Sequence, residues 1–383
     1  MPKEFARKVT DDLIDLTKDK HFNFRVIEAS DIDEKPESAL HHPLRYHRLS
    51  IKENLGFVKL EWLEGNIGYL KIIRFNNFND VKDRIVAAIK FMENANAIII
   101  DIRDNGGGSG DILGSYFLKY PTQLTGWYSR EDDFLTESWT LKDIGIEPMT
   151  DVPLFLLTSD KTFSASESFA YDMKVNKRAV LVGDTTKGGA NSVDLFQIDN
   201  QFEIYIPTAR AINPLTGSNW DGIGVIPDIS VPSETALDTA IVLARIAGEK
   251  YANLKEAKLK TAVDEMQSHL NNAERLYNNV KIKEADAELD SVFQIGGSNK
   301  LINEFFINVL AYHYLSQNVE LILFAILKKN IELYPKSFSA YETLAYTYHK
   351  FGKTELAIEN FKKVLELDPY NPNALKMIER LKK

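Results

Sequence analysis

The sequence predicts two parts of different fold class, an α/β domain followed by an all-α repeat region. Strand patterns alternate with helical patterns as far as about residue 232, and beyond that point the strand patterns stop. A helical pattern with a spacing of 34 residues then occupies the end of the chain. We therefore predict a domain over 1–255, with a helical start at 1–27 and an α/β core at 53–232, and a helical region over 256–383.

The α/β part begins with an amphipathic helix over residues 3–17, with Phe5, Val9, Leu13 and Leu16 on one face. Residues 28–52 are polar and predict a loop. The strand patterns "NIGYLKIIRF" and "NAIIIDIR" then flank the helical pattern "DVKDRIVAAIKFMENA". Later strand patterns are "VPLFLLTS", "RAVLVGD", "FEIYIPTARAI" and "GVIPDISV". In a fold of this class, functional residues collect where strands end.

The helical part contains positions that recur at a separation of 34 residues. This period is typical of tetratricopeptide repeats, and we predict two of them, at about 304–337 and 338–371. A repeat of this kind either binds a protein partner or only stabilises the chain, and both interpretations stay open. The matched pairs are Leu310 with Leu344, Ala311 with Ala345, Tyr314 with Tyr348, and Pro335 with Pro369.

Composition limits the class of protein. Hydrophobic residues make up 44% and charged residues 26% of the 383 residues, which predicts a globular chain with a sizeable core. A net charge of −9 argues against binding to nucleic-acid phosphates, and the lack of cysteine excludes disulfides, thiolate metal sites and a cysteine nucleophile. No apolar run reaches the ~18 residues of a membrane span, and the first residues lack the apolar core of a signal peptide. A cytoplasmic location is expected for the chain as written, and a longer N-terminus would be compatible with export.

Two stretches carry the candidate chemistry. In "AIIIDIRDNGGGSGDIL", a strand ends in Gly106, Gly107 and Gly108, whose bare N–H groups could hold a negative charge. In "LFLLTSDKTFSASESFAYDMK", a strand is followed by a helix that begins near Ser164. Ser164 and Glu167 fit a capping box, which gives the serine an ordinary structural role. The other interpretation is a nucleophile at a helix N-terminus, where free N–H groups favour negative charge.

Together these stretches resemble the C-terminal-processing (tail-specific) serine peptidases, a family with a ClpP/crotonase-like core. "VLVGDTTKGGAN" and "ARAINPLTGSNWDGIGVIPDISVP" extend the resemblance over roughly residues 3–245. These two segments are most similar to the branch that holds the tricorn core protease and the interphotoreceptor retinoid-binding protein. The resemblance implies that Ser164 is the nucleophile and that Gly106, Gly107 and Ala165 donate N–H groups to the oxyanion.

The resemblance leaves two bases open. One branch uses a lysine in a "G-K-G" motif, but "GDTTKGGAN" places Lys187 two residues nearer to Ser164 than that motif would. The tricorn-like branch uses a histidine near the start and an acid near "GVxPDI", which correspond to His21 and Asp221. The family usually has glutamate at the second position. Without the resemblance, His21 would be interpreted as a solvated histidine and Asp221 as a turn residue. We expect a Ser164–His21–Asp221 relay, with Lys187 as the alternative base.

The expected function is therefore that of a serine endopeptidase, which hydrolyses protein substrates through an acyl-enzyme and needs no cofactor. A metal site is not expected, because His41, His42 and His47 lie in a charged loop without paired ligands nearby. Two other hypotheses stay open. The α/β domain could bind lipophilic ligands without catalysis, like the retinoid-binding relatives. Alternatively, the repeats could act as an interaction scaffold in which the α/β domain has no function of its own.

Overall fold

The computed structural model describes residues 2–27, 50–109 and 113–382. The contacts divide the chain into two compact units, Met1–Asn253 and Leu254–Lys383, and each unit has its own hydrophobic core. His41, His42 and His47 lie outside the described residues, as does most of the predicted polar loop.

A mostly parallel sheet forms the centre of the first unit. Its strands are β2 (Phe57–Leu63), β3 (Ile67–Ile72), β4 (Ala97–Asp101), β7 (Leu154–Thr158), β8 (Val180–Gly183) and β11 (Ile229–Ser230). Their order across the sheet is β11-β8-β7-β4-β3-β2, in which β2 is antiparallel to β3 and the other neighbours are parallel.

Strand β4 is buried on both faces, which explains its uninterrupted apolar sequence. Because side chains alternate along a strand, Ile98 and Ile100 enter one core while Ala97 and Ile99 enter another. Helices α2 (Phe78–Phe91) and α3 (Ala165–Val175) pack in the first core, and helix α4 (Ala236–Asn278) contributes its first turns to the second. The parallel sheet is therefore covered on both faces.

An antiparallel sheet makes up the rest of this unit. Its strands are β1 (Asn23–Val26), β5 (Gln123–Ser129), β6 (Phe134–Trp139), β9 (Ser192–Gln197) and β10 (Phe202–Ile212). Their order across the sheet is β1-β10-β5-β6, and β9 also pairs with β10. Helix α1 (Pro2–Thr17) precedes β1.

The predicted apolar face of α1 is wrong in detail. Ala6 is the buried residue of this helix, whereas Leu16 is 82% exposed. Phe5 instead places its ring edge-on to Phe24 of β1 and Phe202 of β10, at centroid distances of 5.9 and 5.8 Å. The helix also contacts β1 through Thr10, whose hydroxyl donates to the carbonyl of Phe24 and accepts its N–H. Val9 and Leu13 of the predicted face are half-buried.

The second unit is helical throughout its described residues. After α4 come α5 (Ile282–Ser298), α6 (Glu304–Gln317), α7 (Glu320–Leu333), α8 (Phe338–Lys350), α9 (Thr354–Leu367) and α10 (Pro372–Leu381). The pairs α6–α7 and α8–α9 lie within the predicted repeats. The predicted class, a mixed α/β core followed by a helical region, is confirmed. In the described part of the chain, every helix is too short or too polar to cross a membrane.

Candidate active site

The glycine turn follows the carboxyl end of β4. Asp101, the last residue of that strand, is fully buried and accepts hydrogen bonds from Arg103 and from the hydroxyl of Tyr69. Burial alone would raise the pKa of Asp101, but the hydrogen bonds from Arg103 and Tyr69 outweigh it and hold the pKa below its usual value. An ion pair between Asp101 and Arg103 therefore lies at the base of the turn, with an N–O distance of 2.7 Å.

Ser164 lies in the turn that follows β7, the strand next to β4 in the sheet. Its backbone adopts φ 58° and ψ −123°, a strained conformation for a residue with a side chain. A sharp strand-to-helix turn of this kind exposes the hydroxyl at the start of a helix. Since the carboxyl ends of adjacent parallel strands meet at one edge of a sheet, the topology brings Ser164 beside the glycine turn.

Short contacts hold the two turns together. The backbone carbonyl of Asn105 accepts hydrogen bonds from the N–H of Phe163 at 3.1 Å and from the hydroxyl of Ser166 at 2.6 Å. Gly107 has φ +98°, and a Cβ atom at this position would lie 2.8 Å from Cβ of Ser164. Only glycine therefore allows the backbone to approach the serine so closely.

Glu167 connects Ser164 to a second glycine-rich turn, "TTKGG". Its fully buried carboxylate accepts hydrogen bonds from the N–H groups of Ser164 at 2.9 Å, Gly188 at 2.6 Å and Gly189 at 2.8 Å, and from the hydroxyl of Thr186 at 2.5 Å. Burial raises the pKa of Glu167, although these hydrogen bonds favour its ionised form. The expected cap of helix α3 is present, and the same side chain also fixes a turn 21 residues further along the chain.

His21 lies directly after α1 and is 9% exposed. Its ring packs on Phe163 at a centroid distance of 4.5 Å. Both ring nitrogens are buried without a hydrogen-bond partner among the described residues. The carboxylate that comes within 4 Å of a ring nitrogen is Asp19, whose Oδ1 lies 3.5 Å from Nδ1. Sequence reasoning missed Asp19, although "KDKHF" places it only two residues before the histidine.

The predicted acid Asp221 has other partners. Its Oδ1 accepts a hydrogen bond from the N–H of Ala190 at 3.2 Å, and its own N–H donates to Oδ1 of Asn219. Burial raises the pKa of Asp221, although the Ala190 N–H favours the ionised form. Asp221 lines a separate cavity with Arg130 and Arg210. Its predicted role toward His21 stays a prediction.

Lys187, the alternative base, is exposed. Its Nζ lies 4.7 Å from the ring centroid of Phe163, the same ring on which His21 packs. Its backbone N–H donates to the carbonyl of Thr162 at 3.0 Å. A lysine accepts a proton only in its neutral form, which burial favours. The exposure of Lys187 therefore does not suit a general base.

A cavity of about 570 Å³ brings several predicted residues together. Ser164 and His21 both line it, together with Gly108 and Ala165. Its large apolar lining residues are Leu124, Trp127, Trp139, Leu141 and Val193, and its polar ones include Ser168, Asp172 and Asn191. Asp221, Lys187, Gly106 and Gly107 are not among its lining residues.

The predicted oxyanion donors differ in availability. The N–H of Gly107 already donates to Oδ1 of Asn105 at 2.9 Å, so it is occupied in this conformation. Among the described residues, the N–H groups of Gly106, Gly108 and Ala165 have no acceptor. Of these, Gly108 and Ala165 also line the cavity that contains Ser164. The available pair at the serine is thus Gly108 and Ala165.

Comparison with known families identifies both parts of the chain. Residues 66–231 match the model of peptidase family S41, and residues 338–371 match that of the tetratricopeptide repeat. The chain therefore contains a peptidase family S41 domain and a tetratricopeptide repeat, as the sequence predicted. The particular resemblance to the tricorn-like branch and the repeat at 304–337 stay predictions.

Curated relatives carry names of carboxyl-terminal-processing enzymes. A carboxyl-terminal-processing protease of a Picosynechococcus species is 27% identical over 205 residues, which cover 52% of this chain and 47% of the relative. Carboxyl-terminal-processing peptidase 2 of Arabidopsis thaliana chloroplasts is 29% identical over 182 residues, which cover 45% of this chain and 33% of the relative. The chain thus spans less than half the length of these relatives.

Among solved structures, a peptidase described as putative from Parabacteroides merdae is similar at 21% identity and a TM-score of 0.46, over 63% of this chain and 82% of the other.

Proposed function

We propose that the first unit is a serine peptidase in which Ser164 is the nucleophile and His21 is the general base. The observation that carries this proposal is one cavity lined by a serine with a strained backbone and by a buried histidine with no hydrogen-bond partner among the described residues. Buried polar atoms are usually satisfied, so an unpartnered imidazole beside a serine is suited to proton transfer.

The space around Gly189 favours histidine over lysine as the base. The lysine-branch motif would place its lysine two residues after Lys187, at the position of Gly189. A Cβ atom at Gly189 would lie 2.1 Å from the ring of Phe163 and 2.7 Å from Cε1 of His21. In this chain the two rings occupy the space that a side chain at that position would enter.

The mechanism follows from these positions. The hydroxyl of Ser164 attacks the carbonyl carbon of a peptide bond while His21 takes its proton. The N–H groups of Gly108 and Ala165 stabilise the negative oxygen of the tetrahedral intermediate. His21 then gives the proton to the leaving amine. In the second half of the reaction, water attacks the acyl-enzyme while His21 takes its proton, and His21 returns that proton to Ser164 as the serine leaves. Asp221 is the acid that the sequence predicts for this relay, and that role is untested.

The proposed substrate is a protein or peptide chain. Support comes from the S41 domain and from relatives named for processing of carboxyl termini. We also propose that the tetratricopeptide repeat binds a protein partner, since exposed faces of such repeats commonly form binding surfaces.

Covalent labelling tests the proposal. A fluorophosphonate probe should modify the wild-type protein at Ser164, as read by mass spectrometry of the labelled peptide, and should not modify the Ser164→Ala variant. Ser192→Ala is the matched control, because Ser192 is an exposed serine that lines the same cavity, and it should retain labelling at Ser164. A folded wild-type protein that resists the probe but binds a fluorescent fatty acid would support the lipophile-binding hypothesis instead.

A further inference from the structure

Asp19 and His21 form a buried pair of an acid and an imidazole immediately after helix α1. Asp19 is 6% exposed and His21 is 9% exposed. Oδ1 of Asp19 accepts the backbone N–H of His21 at 2.8 Å and lies 3.5 Å from Nδ1 of the same residue. A rotation that shortens the second distance by about 0.5 Å would give a normal hydrogen bond. Catalytic hydrogen bonds are often long in free enzymes and tighten when substrate binds.

The second oxygen of Asp19 is fixed as well. Oδ2 accepts a hydrogen bond from Nδ2 of Asn191 at 2.7 Å, and Asn191 also lines the cavity that contains Ser164. Burial alone would raise the pKa of Asp19, but the hydrogen bonds from His21 and Asn191 outweigh it and lower the pKa. Asp19 is therefore an ionised acceptor in a defined orientation at neutral pH.

Asp221 does not match this arrangement. It lies more than 4 Å from the ring nitrogens, since among the described residues only Asp19 pairs with His21 within that distance. Among the described residues, the N–H of Ala190 is the hydrogen-bond donor to its side-chain oxygen. Asp221 lines a second cavity, which shares only Asn191 with the cavity of Ser164. The two carboxylates thus differ in both distance and partner.

We infer that Asp19 is the positioning residue that orients His21, and that Asn191 holds Asp19 in place. This inference rests on the proposed peptidase function. A carboxylate at Nδ1 keeps the proton on that nitrogen, so Nε2 remains free to take the proton of Ser164. Asp19 acts on the substrate only through the histidine.

The first experiment compares Asp19→Asn with Asp221→Asn. Asparagine at position 19 keeps an oxygen for the backbone N–H of His21, so the local turn is preserved while the charge is lost. We expect the rate of fluorophosphonate labelling to fall about 10²-fold or more in Asp19→Asn, because the imidazole loses the negative charge that orients it and stabilises its protonated form. The loss in Asp221→Asn should be at least tenfold smaller. Asp15→Asn, an exposed change on α1, is the matched control and should label at the wild-type rate.

The second experiment reads the imidazole directly and does not depend on activity. Nitrogen-15 NMR of the histidine rings, with His21 assigned by its loss in His21→Gln, reports which ring nitrogen carries the proton in the neutral form. We expect the Nδ1–H form to predominate in the wild type and in Asp221→Asn, and its population to fall in Asp19→Asn, because a neutral amide oxygen at the position of Oδ1 is a weaker acceptor than the carboxylate. The other charged groups near the ring, Lys20, Lys187 and Asp221, are unchanged in Asp19→Asn and cannot produce this difference.

The two experiments separate this inference from the proposed function. Unchanged labelling and an unchanged proton position in Asp19→Asn would overturn the role of Asp19, even if the wild type labels at Ser164. A larger loss in Asp221→Asn than in Asp19→Asn would assign the role to Asp221 instead. If the wild type does not label at all, the peptidase proposal fails, while the NMR result still decides whether Asp19 sets the proton position of His21.

Discussion

The two units of the molecule bury polar side chains in different ways. In the described part of the first unit, five carboxyl or imidazole side chains are at most 9% exposed: Asp19, His21, Asp101, Glu167 and Asp172. In the described part of the second unit the buried polar residues are all uncharged: Asn330, Thr343, Thr347 and Asn371. Burial of a charge is costly unless it is paired or hydrogen-bonded, so a fold built for stability alone has little reason to collect such groups.

The location of the buried groups explains the difference. Glu167 and Asp101 hold the two turns that meet at Ser164, and Asp19 lies beside His21. Asp172 accepts hydrogen bonds from Thr125 and Asn213 and lines the same cavity as Ser164. Hydrogen bonds lower the pKa values of Asp19 and Asp101, and burial raises that of Glu167. Titratable groups with shifted pKa values that cluster around a cleft indicate a functional site. The proposed active site therefore lies in the unit that collects these buried groups.

The largest effect is expected from the buried histidine and not from the exposed lysine. His21→Ala should lower kcat by about 10³-fold or more, since it removes the proposed base, whereas Lys187→Ala should retain at least a tenth of the activity. The measurement is turnover of one unstructured protein substrate by both variants, each shown to be folded by circular dichroism. An inactive Lys187→Ala together with an active His21→Ala would instead establish a serine–lysine mechanism.

The next effect concerns the backbone beside the serine. Gly107→Ala should lower kcat by about 10²-fold or more, because a Cβ atom 2.8 Å from Cβ of Ser164 and 2.8 Å from the Phe163 carbonyl oxygen must displace the nucleophile turn. Gly217→Ala is the control: Gly217 also has positive φ, +62°, but a Cβ there would have no neighbour within 4 Å. It should cost only ~1–2 kcal/mol of stability and leave kcat unchanged. Equal kcat values in the two variants would contradict the close approach as the cause.

Sequence reasoning found the parts of this site that local patterns encode. Ser164 and the glycine turn each follow an apolar strand, and the pattern of glycine and serine at strand ends is visible in one stretch of sequence. The sequence does not show that the N–H of Gly107 donates to the side chain of Asn105, because this hydrogen bond forms only in the folded turn. The resemblance implies Gly106, Gly107 and Ala165 as oxyanion donors, and it does not include Gly108.

Long-range contacts account for the features of the site that the sequence does not predict. Asp19 lies in a polar segment that predicts a simple turn, and its carboxylate accepts a hydrogen bond from Asn191, 172 residues further along the chain. Glu167 was expected to cap its own helix, and its bonds to Gly188 and Gly189 could not be inferred from the capping pattern. The α/β and helical classes were predictable because periodicity is a local property, whereas side-chain pairing across the sheet is not.

A smaller effect is expected on stability from the buried ion pair beneath the glycine turn. Asp101→Asn should lower the free energy of unfolding at pH 7 by about 3 kcal/mol, because Arg103 would lose its buried partner. The pKa of Asp101 is lower in the folded chain than in the unfolded one, so its stabilisation is present above the unfolded value near ~4 and is lost as the pH falls through the folded value. The difference between wild type and variant should therefore shrink in acid.

Asp104→Asn is the matched control for this change. Asp104 pairs with Lys71 at 2.7 Å and with Lys161 at 3.5 Å, but its side chain is 45% exposed. Exposed pairs contribute about 1 kcal/mol or less. Urea unfolding followed by tryptophan fluorescence provides the measurement, since all four tryptophans lie in the first unit. A loss in Asp104→Asn as large as that in Asp101→Asn would remove the distinction between buried and exposed charges.

The smallest effect is expected in the second unit, where one of the buried polar residues, Asn371, caps a helix. The side chain of Asn371 caps helix α10 by accepting the N–H of Ala374 at 3.0 Å, and Asn371→Ala should cost about 1 kcal/mol. Asn373→Ala, an exposed change within the same helix, should instead be neutral or slightly stabilising because alanine favours a helix. Neither variant should change the rate of labelling at Ser164. Because the tryptophans report on the first unit, Asn371→Ala should shift the transition seen by circular dichroism at 222 nm and leave the fluorescence transition in place. An equal shift of both transitions would show that the two units unfold as one, and the contrast between them would then describe two parts of a single cooperative structure.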